Sequence, residues 1–197
     1  MRRVLGVSAL LALAATVLSG PSWAGAPRVA TPMPAAIPTP HPALASLGRL
    51  AGRDLDVAAM RELVPRFEED IEIAYAATLN ADHPPLLQWN QRMVERKNGQ
   101  VKQLLALLAA AGASPGRRGV NVVTADVKQM RQLRGAPLER RYLSLMIARF
   151  ELNAAIADLV LQKGAGADFK TLARTIAAVE RREMAMLRTW RKEWYGQ

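Results

Sequence analysis

The chain has no cysteine, only two histidines and few aromatic residues, with Phe, Tyr and Trp making up 5% of its 197 residues. Without Cys there is no disulfide, no thiolate metal ligand, no Cys nucleophile and no acylated lipoprotein Cys. His41 and His83 alone leave little for imidazole catalysis or His-based metal chemistry. Scarce aromatics beside abundant Ala, Leu, Met and Arg disfavour a large β-sheet and favour helices. No enzyme signature is present, so the expectation is a protein that is not an enzyme and has no resident cofactor.

The length suits one domain. Ahead of it, Arg2 and Arg3 precede the apolar run Val4 to Leu18, which ends in the small-x-small pattern Ser22-Trp23-Ala24. Residues 1–24 therefore read as a secretory signal peptide cleaved after Ala24, the short and Ala-rich run leaving an uncleaved membrane anchor as the minority alternative. The expected location is the periplasm or the exterior, with no transmembrane span after cleavage. Removing Arg2 and Arg3 lowers the formal charge from +10 to +8. Export argues against nucleic acid as a partner, as does the lack of stacking aromatics among the bases. An anionic envelope surface or an unidentified protein is the expected partner, with a metal ion as a further possibility. Residues 25–53 follow as a Pro-rich linker, six of whose prolines fall between Pro27 and Pro42.

From Asp54, a plausible N-cap, apolar residues recur at helical spacing through Met60, Leu63, Val64, Phe67, Ile71 and Ala74, with Pro65 kinking the run without ending it. Pro84-Pro85 opens a second helix that closes at Gly112, which makes residues 54–112 a first hairpin. Residues 113–136 form a connector holding a short helix capped by Thr124. Residues 137–196 form a second hairpin, its helices opened by Pro137 and capped by Asp168. The predicted fold is an all-α four-helix bundle of two hairpins over residues 54–196.

The hairpins look like copies. Sliding the chain by 83 positions aligns Arg66-Phe67-Glu68 with Arg149-Phe150-Glu151, Ile73-Ala74 with Ile156-Ala157, Met93 with Ile176, and Gln100 with Glu183. Amphipathicity alone aligns apolar positions, but not an identical Arg-Phe-Glu triplet, and an internal duplication accounts for both.

The segment Gly135-Ala136-Pro137-Leu138-Glu139-Arg140-Arg141-Tyr142-Leu143-Ser144-Leu145-Met146-Ile147 resembles the entry to the second half of the domain of unknown function 305 family. Leu172-Ala173, then Glu183-Met184 with Leu187 and Trp190, resembles that family's closing pattern, and Leu63-Val64-Pro65 stands at its Met-Ile-Pro position. The resemblance spans residues 54–196 and implies a ferritin-like helical bundle, often exported, with some members tied to copper or other metal handling. The family's His-His pairs are replaced here by Arg66-Phe67 and Arg149-Phe150. Its Gln and Glu positions hold Lys97 and Gln100 in the first half and Glu180 and Glu183 in the second. Arg has five donors and no lone pair for a cation, so the resemblance implies a degenerate metal centre.

Glu180 and Glu183 share the apolar line of Ile176, Leu187 and Trp190 and need a counter-charge. Arg149 has no acid one turn away in its own helix, so the simplest expectation is an interhelical Arg149–Glu183 pair, with Glu180 sharing in it. A carboxylate metal site and plain solvation remain as alternatives. Arg66 is flanked by Glu62 and Asp70, which suggests a local ion ladder, and Glu68, Glu69, Asp70 and Glu72 suggest a wet acidic face. Residues 54–72 carry a net charge of -5 and residues 117–141 one of +5, a polarity that can orient a partner or be absorbed within the fold. Candidate soft-metal ligands are Met146, Met184 and Met186 with Glu180 and Glu183, although Met at helical spacing is usually core filler. The leading expectation is an exported non-catalytic binding or scaffold protein of the envelope. The alternative is a copper or other metal-binding protein using Met and carboxylate ligands.

Overall fold

The computed structural model describes residues 41–197, so the signal segment and the linker up to residue 40 lie outside the described residues. Six helices follow in order: α1 Pro42–Leu47, α2 Gly52–Thr78, α3 Pro84–Ala110, α4 Ala125–Gln132, α5 Gly135–Lys163 and α6 Ala167–Tyr195. The fold is all-α. None of these helices is long and apolar enough to cross a membrane.

The end of the expected linker is part of the fold. Pro42 stands in the first turn of α1, where its missing N–H costs nothing, and His41 Nδ1 accepts the Ala43 N–H at 3.2 Å. Leu47 is buried, and α1 packs on α2 and α5. Asp54, expected as a cap, lies inside the first turn of α2, where its charge favours the helix dipole. Pro65 removes one N–H, yet α2 runs through it unbroken. Thr124 caps α4 as expected, accepting from the Val127 N–H.

Helices α2 and α3 form one hairpin and α5 and α6 the other, with α2 against α5 and α3 meeting α6. The two hairpin turns are tied by one device used twice. The Asp56 carboxylate of α2 accepts the N–H groups of Ala165 and Gly166, at 3.0 and 2.7 Å, where α6 begins. The Glu139 carboxylate of α5 accepts those of Asp82 and His83, at 2.7 and 2.8 Å, where α3 begins. Donors and acceptors both correspond at the offset of 83, so each hairpin caps the other. Asp168, the expected cap of α6, is only a first-turn acid. Gly164 is required beside this cap, because a Cβ there would stand 2.3 Å from Asp56 Oδ1.

Glu139 also takes the Tyr195 hydroxyl and lies 2.6 Å from His83 Nδ1. His83 stacks on Trp194, with ring centroids 4.1 Å apart, and Trp194 stacks on Trp190. His83 is therefore a half-buried member of a latch holding the end of α6. Burial pushes the Glu139 carboxyl up, but its bonds from Tyr195, His83 and Asp82 outweigh that and hold it below the ordinary value.

The core is two apolar clusters. One gathers Leu55, Leu63, Phe67, Leu104, Ile156 and Ile176, and the other Ile73, Trp89, Met93, Tyr142, Phe150 and Leu187. Phe67 and Phe150 are both fully buried. Truncating either to Ala is expected to cost about 3–5 kcal/mol in urea unfolding, because a well-packed helical core collapses only partly around the cavity. For Glu139 the expected outcome concerns pH. Its folded pKa is depressed, so its stabilisation is complete above the ordinary Glu value of 4.5 and fades as pH falls through the folded value. Glu139→Gln should lower stability at neutral pH and flatten the loss of stability on acidification, as followed by melting curves across that range.

Candidate functional site

The two apolar clusters are separated by a charged layer built from all four long helices. Asp70 of α2, Lys97 of α3 and Glu180 of α6 are almost wholly withdrawn from solvent, and Arg149 and Asn153 of α5 are buried beside them. The Lys97 ammonium bonds the Glu180 carboxylate and lies 3.2 Å from Asp70 Oδ2. It also stands 3.7 Å from the centre of the Phe67 ring and 5.0 Å from that of Phe150, a cation between two aromatic faces.

Arg149 finds its acids on α2, not on α6. Its guanidinium bonds Asp70 and, at 3.0 Å, Glu69, and its Nη2 donates to the Arg66 carbonyl at 3.1 Å. The expected Arg149–Glu183 pair is absent, because the inner face of α5 here packs on α2. Glu183 instead accepts the Trp89 indole N–H and lies 3.3 Å from Arg96 on α3. Arg66 keeps only the Glu62 rung of the expected ladder. Its Nε donates to Asn153 Oδ1 at 2.8 Å, while Glu62 stays at 3.8 Å and Asp70 is taken by Arg149 and Lys97.

The supposed wet acidic face is largely claimed within the fold. Glu68 is buried and accepts from Arg118 and from the Gly119 N–H, and Glu72 accepts the Asn121 N–H at 3.2 Å. The opposed charges of residues 54–72 and 117–141 thus partly dock the connector onto α2. Gln100 is buried, and neither of its amide atoms has a hydrogen bond to the described residues. Met146 and Met184 are buried in the second apolar cluster and Met186 packs against it, each as an apolar side chain.

Charge balance in the layer follows from these contacts. Burial raises the Asp70 carboxyl, but Arg149 and Lys97 outweigh it and hold it below its ordinary value. Glu180 goes the other way, since burial is only partly offset by Lys97 and Asp70 repels it. Burial and the neighbouring Arg149 charge lower Arg66 beyond what the nearby acids restore. Tyr142, fully buried, is raised well above its ordinary value and donates to Asn90 Oδ1 at 2.6 Å.

Several contacts join residues that correspond at the 83-residue offset: Arg66 with Arg149, Asp70 with Asn153, and Lys97 with Glu180. Corresponding residues touch only where a local two-fold relation between the hairpins passes, so the charged layer lies on that relation. Asn153 was the member missed from sequence, and Asp70 was assigned to a local ladder with Arg66 and not to this layer. The alignment that pairs Arg66 with Arg149 also pairs Asp70 with Asn153, and that was the available signal.

No family model matches the chain, and no curated protein matches it significantly. Solved structures do match. CopM in its Cu(I)-bound form aligns at 16% identity over 71% of this chain and 97% of its own, with a TM-score of 0.64. A DUF305 fragment from Deinococcus radiodurans aligns at 18% identity over 71% and 97%, with a TM-score of 0.63. The chain has their fold. A DUF305 protein from Streptomyces coelicolor, named as secreted, aligns at 16% identity over 67% and 88%, with a TM-score of 0.60. The family resemblance in the sequence thus agrees with the fold of the DUF305 structures.

Among the described residues, no three His, Asp or Glu side chains stand together as a cation-holding group. Lys97→Leu should cost about 3–5 kcal/mol, because Glu180 and Asp70 lose a buried counter-charge. Lys97→Leu combined with Glu180→Leu should recover much of that loss in urea unfolding. Arg149→Leu and Glu183→Leu, by contrast, should add within about 0.5 kcal/mol, since they share no contact.

Proposed function

We propose that the protein is an exported, non-catalytic binding or scaffold protein of the cell envelope, a divergent DUF305-type bundle whose metal centre has been given up. The observation that carries this reading is the Lys97 ammonium between Asp70 and Glu180, flanked by Phe67 and Phe150. A cation needing carboxylate ligands would have to displace a covalently attached cation that already neutralises them. The two positions of the family's first His carry Arg66 and Arg149, which offer only donors. These residues do not fit a resident metal ion. The signal-like first 24 residues and the secreted DUF305 neighbour support export.

The second reading is copper binding through thioether sulfur, favoured by the likeness to CopM in its Cu(I)-bound form. Titration of the purified chain with Cu(I), followed by elemental analysis, separates the two. Less than a stoichiometric amount of copper is expected, and tight one-to-one binding would reverse the order. Lys97→Ala adds a second measurement. Removing the ammonium should give the buried carboxylates a measurable affinity for divalent cations that the parent chain lacks.

A further inference from the structure

Beside the charged layer, residues of α1, α2 and α5 line an open cavity of about 370 Å³ that includes both Arg66 and Arg149. Their side chains are only 13% and 10% exposed. Among the described residues, neither terminal nitrogen of Arg66 has a hydrogen-bond acceptor, nor does Nη1 of Arg149. Two largely buried guanidiniums therefore line one open cavity with donors to spare. His41 stands at the rim, and because its Nδ1 accepts the Ala43 N–H, its Nε2 is left as a donor. Leu44, Leu152 and Ala155 make the wall apolar.

We infer that this cavity is a binding site for a small organic monocarboxylate. A guanidinium matches a carboxylate by two parallel N–H···O bonds. The apolar wall suits a short alkyl body. Glu151 also lines the cavity, exposed at its mouth, and its charge opposes a dianion such as phosphate more than a singly charged ligand. Arg66 bonds only the neutral Asn153 amide, with Glu62 at 3.8 Å, so a carboxylate in the cavity would find free donors there. This inference rests on the reading of a metal-free binding protein and names the ligand class of its altered centre.

The test is the melting temperature of the purified chain titrated with butyrate, at ionic strength held constant with chloride. A saturable rise is expected with butyrate, with phosphate at least about tenfold weaker. Arg66→Gln should weaken butyrate binding by at least about tenfold. Because that change also removes the bond to Asn153, Ala148→Met provides a second variant. Ala148 lines the cavity and is exposed, so the longer side chain closes the site without disturbing an ion pair. It should abolish the butyrate effect while leaving the melting temperature without butyrate unchanged. No saturable rise, an unchanged rise in Ala148→Met, or phosphate binding as tightly as butyrate overturns the inference. Stoichiometric copper in the same preparation would overturn the metal-free reading instead and leave the butyrate result standing.

Discussion

An ammonium group taken out of water into the middle of a helical bundle is tolerated only where its charge is matched and its three protons have acceptors. Lys97 meets that condition through Asp70 and Glu180, with two aromatic faces completing the shell. The three residues come from α3, α2 and α6, so the match exists only when both hairpins are docked. Arg149 brings in the remaining long helix by sharing Asp70. Apolar burial on either side supplies most of the driving force for collapse. The charged layer sets how the helices are registered, since sliding one hairpin by a turn would leave at least one buried charge alone.

The ends of the bundle obey the same logic with weaker groups. Each hairpin turn exposes N–H groups at the start of its second helix, and each is capped by an acid from the opposite hairpin, Asp56 in one case and Glu139 in the other. Docking thus satisfies backbone groups at both ends and side-chain charges in the middle. Neither hairpin can meet these needs by itself.

Composition and period were enough to read the all-α fold and the helices, because Ala-rich and Leu-rich runs at three- and four-residue spacing allow little else. Boundaries shifted by a residue or two where caps come from other elements: Asp56 is far in sequence from the α6 terminus it serves, so Asp168 was credited in its place. Proline density hid α1, since Pro42 reads as a linker residue unless its place in a first helical turn is known. In the site, the residues were legible but their partners were not. Arg149 was matched with the nearest apolar-stripe acid, Glu183, whereas the bundle turns that part of α5 toward α2. Helical spacing says which residues share a face, and only docking says which face meets which.

The offset of 83 residues explains why the partners differ. On a local two-fold relation, corresponding residues stand opposite one another, so a duplicated sequence would place like against like. Identical metal ligands can face each other there, because the cation between them supplies the opposite charge. Without a cation, like charges repel, and the corresponding positions must become unlike. Two pairs have done so: Lys97 faces Glu180, and Asp70 faces Asn153. Phe67 and Phe150 remain identical without penalty, since two aromatic rings can hold one ammonium between them. Arg66 and Arg149 also remain identical, and for them the repulsion persists. It is relieved unevenly, with Arg149 taking Asp70, Glu69 and the Arg66 carbonyl, and Arg66 left with the neutral amide of Asn153 and a distant Glu62. The one like-charged pair is thus also the one that lines a cavity, where the proposed carboxylate would add a negative charge.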